Sequence, residues 1–150
     1  VPASDYTPDV DLVARKIMSR TRDQYGNHVG TFTEVTHPTD IEVAAIIDDY
    51  ITDLAIMIGD DIPQALFDDA ANVASIGSAM FVELNFFPDQ IDTGRSTYPA
   101  LKELYEKKLA DLISAVTNAI ANDGEILVSG GSGYPNYKFP PAGIGFDTVM

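Results

Sequence analysis

A chain of 150 residues, 45% of them hydrophobic, is long enough for one domain with a real core, since a chain of this size buries about 68–70% of its unfolded surface. Nine basic against 23 acidic residues leave a net charge of −14, which disfavours any role that grips nucleic acid by its phosphates and makes contact between identical copies salt-dependent. The absence of cysteine excludes disulfides and thiolate metal sites.

The N-terminal segment lacks the basic-then-apolar order of a signal peptide, and the most apolar helix is interrupted by Asp48, Asp49 and Asp53. The chain therefore reads as soluble and intracellular, with no membrane span. Its charge is unevenly spread: from Asp23 to Gly94 there is no lysine or arginine, but fourteen aspartates and glutamates. Because that stretch is periodic in its apolar residues, the acids belong to solvated helix faces rather than to a disordered tail.

Four segments have helical period, each with a proline expected in its first turn: Pro8, Pro38, Pro63 and Pro99. The first helix spans about Pro8 to Ser19, with Thr7 as cap and Val10, Val13, Ala14, Ile17 and Met18 on one stripe. The second, about Asp40 to Ile58, opens with Thr39 and Glu42 at capping-box spacing and carries a broad apolar arc from Val43 to Ile58 that includes Ala44, Ile46 and Met57. Opposite that arc stand Glu42, Asp49 and Asp53.

The third helix, about Pro63 to Phe86, offers Ala70, Ala74 and Gly77 for close approach of a neighbour and so reads as central. Asp68, Asn72, Ser75 and Glu83 form its expected solvated stripe. The fourth, about Pro99 to Ala121, faces inward with Leu101, Leu104, Tyr105, Leu109, Leu112 and Val116 and stops at Asn122, Asp123 and Gly124.

Two segments read as non-helical. Residues 21–36 form a long loop or short hairpin between helices one and two. Residues 124–150, rich in Gly, Pro and aromatics, read as an extended arm suited to docking. The expected fold is thus all-α, four helices in residues 1–123, followed by that arm.

No residue pattern demands catalysis, a cofactor or a metal. His28 and His37 lack partners at ligand spacing, adjacent carboxylates such as Asp48 and Asp49 diverge on a helix, and no Glu-x-x-His motif occurs. The tract from Ile126 to Gly133 mimics a strand entering a phosphate loop, but it lacks the Gly-Lys pair and runs into Tyr134-Pro135. Arg15, Lys16, Arg20 and Arg22 cluster at the end of helix one, read either as compensation of the helix dipole or as a basic lip for an acidic partner.

Several short runs carry a resemblance. They are Arg20-Thr21-Arg22-Asp23, Gly30-Thr31-Phe32-Thr33, Thr36-His37-Pro38-Thr39, Ile58-Gly59-Asp60-Asp61-Ile62-Pro63, the stretch from Glu83 to Gln90, and Arg95-Ser96-Thr97-Tyr98. In this order, over about Asp9 to Val116, the chain resembles the head-to-tail adaptor (connector, head-completion) proteins of long-tailed bacteriophages, particularly those of actinobacterial hosts. The resemblance implies a small helical bundle in a ring, usually twelvefold, docked beneath the portal protein in the virion neck after assembly in the host cytoplasm. It also implies a structural rather than enzymatic role, a platform for the next neck or tail protein, and a channel through which DNA passes without specific binding.

Three sets of residues follow as candidates. Tyr134, Tyr137, Phe139, Pro140 and Phe146 would grip the portal, and Arg15, Arg20, Arg22, Thr31 and Phe32 would meet a neighbouring subunit or the neck. Glu42, Asp49, Asp53, Asp68 and Glu83 would line the channel. The alternative reading is an acidic binding module that mimics DNA charge and occupies a basic partner.

Overall fold

The computed structural model describes residues 3–59 and 62–129, with side chains for 5–59 and 62–122. All regular structure among them is helical: α1 (Val10–Ala14), α2 (Asp40–Ile58), α3 (Phe67–Phe86), α4 (Pro88–Asp92) and α5 (Tyr98–Ser129), with 3₁₀ turns at Ala3–Tyr6, Met18–Arg20 and Gln64–Leu66. Contacts divide the chain into a unit of residues 1–116 and a second of 117–150, and the packing below is that of the first.

α2 begins where its sequence says it should. The Thr39 side chain accepts the Glu42 N–H at 3.3 Å and Glu42 Oε1 accepts the Thr39 N–H at 2.9 Å, satisfying two donors that an open helix end leaves unpaired. The helix ends at Gly59, whose φ of 78° suits a residue without a Cβ. Val43, Ile47, Tyr50, Ile51, Leu54 and Ile58 are buried, whereas Ala44 and Met57 are exposed, so the inward arc is narrower than periodicity suggests.

α3 is the central helix. Val73 through Ala79 are all buried, which requires neighbours on more than one side. Two apolar clusters meet along it. One gathers Tyr6, Tyr50, Leu54, Val73, Leu112 and Val116; the other gathers Val13, Ile17, Phe32, Ile47, Ile76 and Leu101. A fully buried aliphatic such as Leu54 contributes about 1.5–3 kcal/mol relative to exposure.

Several elements depart from the expectation. α1 is five residues long and is capped by Asp9, whose Oδ1 accepts the Leu12 N–H at 2.8 Å, not by Thr7. It closes because the N–H groups of Lys16 and Ile17 turn to the carbonyls three residues back, at 3.0 and 3.2 Å, the tight pattern that ends helices. Pro8 and Pro38 stand just before the caps Asp9 and Thr39, and Pro63 caps a 3₁₀ turn. Of the four expected prolines, Pro99 alone lies within the opening turn of an α-helix.

α4 was not anticipated. It opens with Pro88 directly after Phe87, a short turn between two long periodic segments. α5 passes through Gly124 and continues to Ser129, because an interior glycine costs a helix only about 1 kcal/mol and is not a stop by itself. Residues 126–129 are therefore helical rather than a strand leading to a phosphate loop.

Candidate assembly surfaces

The least expected feature lies at the C-terminal end of α3. The Arg20 guanidinium makes a two-pronged bond to Glu83, with Nε 2.6 Å from Oε2 and Nη2 2.7 Å from Oε1. Its third nitrogen, Nη1, donates to Gln90 Oε1 at 2.6 Å, and its Cζ sits 4.0 Å from the centre of the Phe87 ring. Ser96 Oγ donates to Glu83 Oε1 at 2.5 Å and accepts the Tyr98 N–H at 3.0 Å. Both carboxylate oxygens are engaged, which makes burial of this charge tolerable.

That network corrects two readings. Glu83, with a fully buried side chain, is not an exposed acid of a channel, and Arg20, 13% exposed, is not part of a basic lip. Ser75, expected on the same solvated stripe, is buried and donates to the Asn72 carbonyl at 2.7 Å. Charge in a sequence reads as solvated by default, and only the fold shows that a cation from 63 residues away has reached this one.

The segment between α1 and α2 is tied to itself and to the core. The Val29 N–H donates to Thr21 O at 2.8 Å and the His37 N–H to Arg22 O at 3.3 Å. Thr36, buried, accepts the Thr33 N–H at 2.9 Å and lies 2.7 Å from the Pro38 carbonyl. Asp23 collects the N–H groups of Asn27 and Tyr25, each at 2.9 Å. Those bonds, the one from Asn27 first, hold its carboxyl below the usual range.

Phe32 is buried against α1, α2 and α3, so it belongs to the core rather than to a contact with a neighbour. Thr31 Oγ1 reaches Asp11 Oδ1 at 2.5 Å. Arg22 bonds the Ser19 and Gly26 carbonyls. Both histidines are exposed.

Two concave surfaces flank α3. Between α2 and α3 runs a groove of about 280 Å³, walled by Ile46, Asp49, Tyr50 and Asp53 on one side and Phe81, Leu84 and Asn85 on the other. At its floor the Tyr50 ring packs against Phe81 at 5.7 Å and edge-on to Tyr105 at 5.9 Å, and its hydroxyl donates to Tyr105 Oη at 2.5 Å. Burial, then the bond to Tyr105, pushes the Tyr50 phenol well above its ordinary range. Gly77 makes room for that ring, since a Cβ there would overlap Cζ, Cε2 and Oη of Tyr50.

The second surface is a cleft of about 310 Å³ between α3 and α5, lined by Asp69, Asn72, Lys108 and Asp111. Lys16 donates to Oδ1 of its lining residue Asn72 at 2.8 Å. Burial, with the like charges of Arg15 and Lys108, holds Lys16 below the ordinary lysine range. Arg15, Lys107 and Lys108 are exposed.

Glu42, Asp49, Asp53 and Asp68 are exposed, as a surface role requires, although Glu42 is engaged in the capping box. Tyr134, Tyr137, Phe139, Pro140 and Phe146 lie outside the described residues. Among the described residues no group of three or more His, Asp or Glu is placed to hold a metal, and no helix is long and apolar enough to cross a membrane. Comparison with protein families, curated proteins and solved structures finds no match to this chain.

Proposed function

We infer that this chain is a structural subunit of a head-to-tail adaptor, a ring that continues the DNA channel of a long-tailed phage from the portal to the neck. The observation that carries this reading is the convergence of sequence runs that lie far apart. Arg20 comes from the first run of the resemblance, Glu83, Phe87 and Gln90 from the stretch between Glu83 and Gln90, and Ser96 from the last. These pieces serve one purpose, pinning the loop after α1 to the end of α3.

In this reading α1, α2, α3 and α5 act as a four-helix bundle. The segment joining α1 to α2 is its contact loop, and residues beyond α5 are the arm that engages the portal. The surface acids Glu42 and Asp68 repel the passing duplex, so DNA slides rather than lodges. Exposed apolar residues such as Tyr25, Ile41 and Ile56 suit contacts with further chains.

Electron microscopy of the protein mixed with the portal encoded beside it tests the reading, with and without residues 124–150. A stoichiometric ring capping the portal, lost on truncation, is the expected result. Failure of both proteins to form a ring with the portal at low and high salt would sink it and turn the search to basic proteins that a DNA-charge mimic would occupy.

A further inference from the structure

We propose that the groove between α2 and α3 is a docking site for an arginine of another protein, presented on a segment with apolar side chains beside it. The inference goes beyond the adaptor reading, since it concerns the chemistry of one surface and not the assembly that surface serves.

The protein already shows how it holds a guanidinium. Around Arg20 stand the Phe87 ring, its centre 4.0 Å from Cζ, the carboxylate of Glu83 and the side-chain amide oxygen of Gln90 at 2.6 Å. The groove brings the same three kinds of group together from other positions: Phe81 for the ring, Asp49 and Asp53 for the carboxylate, and Asn85 for the amide. Such a set matches a guanidinium, which stacks its plane on a ring while its fork of N–H groups meets carboxylate and amide oxygens. The compact, strongly hydrated ammonium of lysine uses it less well.

The groove differs from the Arg20 site in having no cation of its own. No lysine or arginine lines it, and none occurs from Asp23 to Gly94, which includes all of α2 and α3. The side chains of Asp49, Asp53 and Asn85 are exposed and make no hydrogen bond or ion pair among the described residues. The charge of Asp53 is felt as far as the Tyr50 hydroxyl, whose ionisation it opposes, so the negative field reaches the floor of the groove. The complementary charge is brought by a partner.

Its size favours a side chain over a free small molecule. At about 280 Å³ the groove falls under the roughly 300–1,000 Å³ of sites that engulf such ligands. It suits one long side chain of a protein lying across it, with Leu84, 44% exposed, and half-buried Ile46 as apolar contacts for the residues beside that side chain. Asp49 and Asp53 then face a protein rather than passing DNA.

The probe is the capped tripeptide acetyl-Leu-Arg-Leu-amide, titrated into the isotope-labelled full chain and followed by amide NMR shifts. Shifts concentrated at Ile46, Asp49, Asp53, Leu84 and the side-chain amide of Asn85 are expected, and added salt should weaken the binding. Replacing the arginine by citrulline, which keeps the shape and loses the charge, should weaken it about tenfold or more, and replacing it by lysine about threefold. Asp49→Asn with Asp53→Asn should weaken binding of the arginine peptide about tenfold. Both positions are exposed, and an otherwise unchanged spectrum checks that the variant stays folded.

Shifts spread evenly over other acids such as Glu42, Asp48 and Asp68, binding of the citrulline or lysine peptide as tight as that of the arginine one, or indifference to the paired substitution would each overturn the proposal. Binding at the groove by a chain that forms no ring on the portal keeps it and removes the adaptor reading. A portal-capping ring from a chain whose groove ignores the peptide does the reverse.

Discussion

Two regions of α3 are held by opposite means. Around Gly77 the helix accepts a bulky neutral ring: Tyr50 lies against the bare glycine backbone with Phe81 and Tyr105 closing around it. Six residues later, at Glu83, the same helix buries a full charge and surrounds it with Arg20, Ser96 and, through the arginine, Gln90 and Phe87. The first region is stabilised by shape and burial. The second persists because every charged atom has a partner, and it joins the loop after α1, the end of α3 and the start of α5.

The largest expected effect comes from unpairing that charge. Arg20→Ala leaves the Glu83 carboxylate buried without its cation and should cost about 3–5 kcal/mol in urea unfolding. Glu83→Ala should cost a similar amount, and the double variant less than the sum of the two, because they share one interaction. Additive losses would show that the pair does not act as a unit.

Gly77→Ala tests the other region. Helix propensity favours alanine by about 1 kcal/mol, yet its methyl would overlap the Tyr50 ring. Overpacking of this kind costs about 1–3 kcal/mol, so a net loss of stability is expected. Gly77→Ala combined with Tyr50→Leu should recover part of it; a stabilised single variant would show that the ring can move aside at no cost.

The phenol supplies a pH signature for the neutral region. Unfolded, Tyr50 ionises near its ordinary value of 10; folded, burial keeps it neutral to higher pH. Its contribution to stability is therefore complete below pH 10 and is lost as pH rises beyond it. Absorbance at 295 nm should show a component for Tyr50 that ionises only on unfolding, and Tyr50→Phe should remove that component. The same substitution deletes the hydrogen bond to Tyr105, at about 0.5–1.5 kcal/mol.

Thr39→Ala, at the start of α2 and outside both regions, should cost about 1 kcal/mol through loss of the cap.

What could be read in advance followed from local rules. The bounds of α2 and its capping box were legible because Thr39 and Glu42 act within one turn of each other. α3 as the central helix was legible from its small residues and uncharged middle. α4 and the true start of α1 were not, since each is a five-residue helix with less than two turns over which a period can show. The candidate surfaces were half legible: Asp49 and Asp53 were placed correctly on an exposed face of α2, while Phe32, Glu83 and Arg20 were taken for surface residues and are core or nearly so.

The sequence by itself determined that this protein is helical, acidic and free of disulfides, because helix period, charge and composition are properties of neighbouring residues or of simple counts. Only the tertiary structure decided which charges are spent inside and which remain on the surface. Arg20 and Glu83 stand 63 residues apart, and no local pattern distinguishes a carboxylate that will meet a guanidinium in the core from one that will stay in water. That choice depends on which helix ends the fold brings together, and here the end of α3 meets the loop after α1.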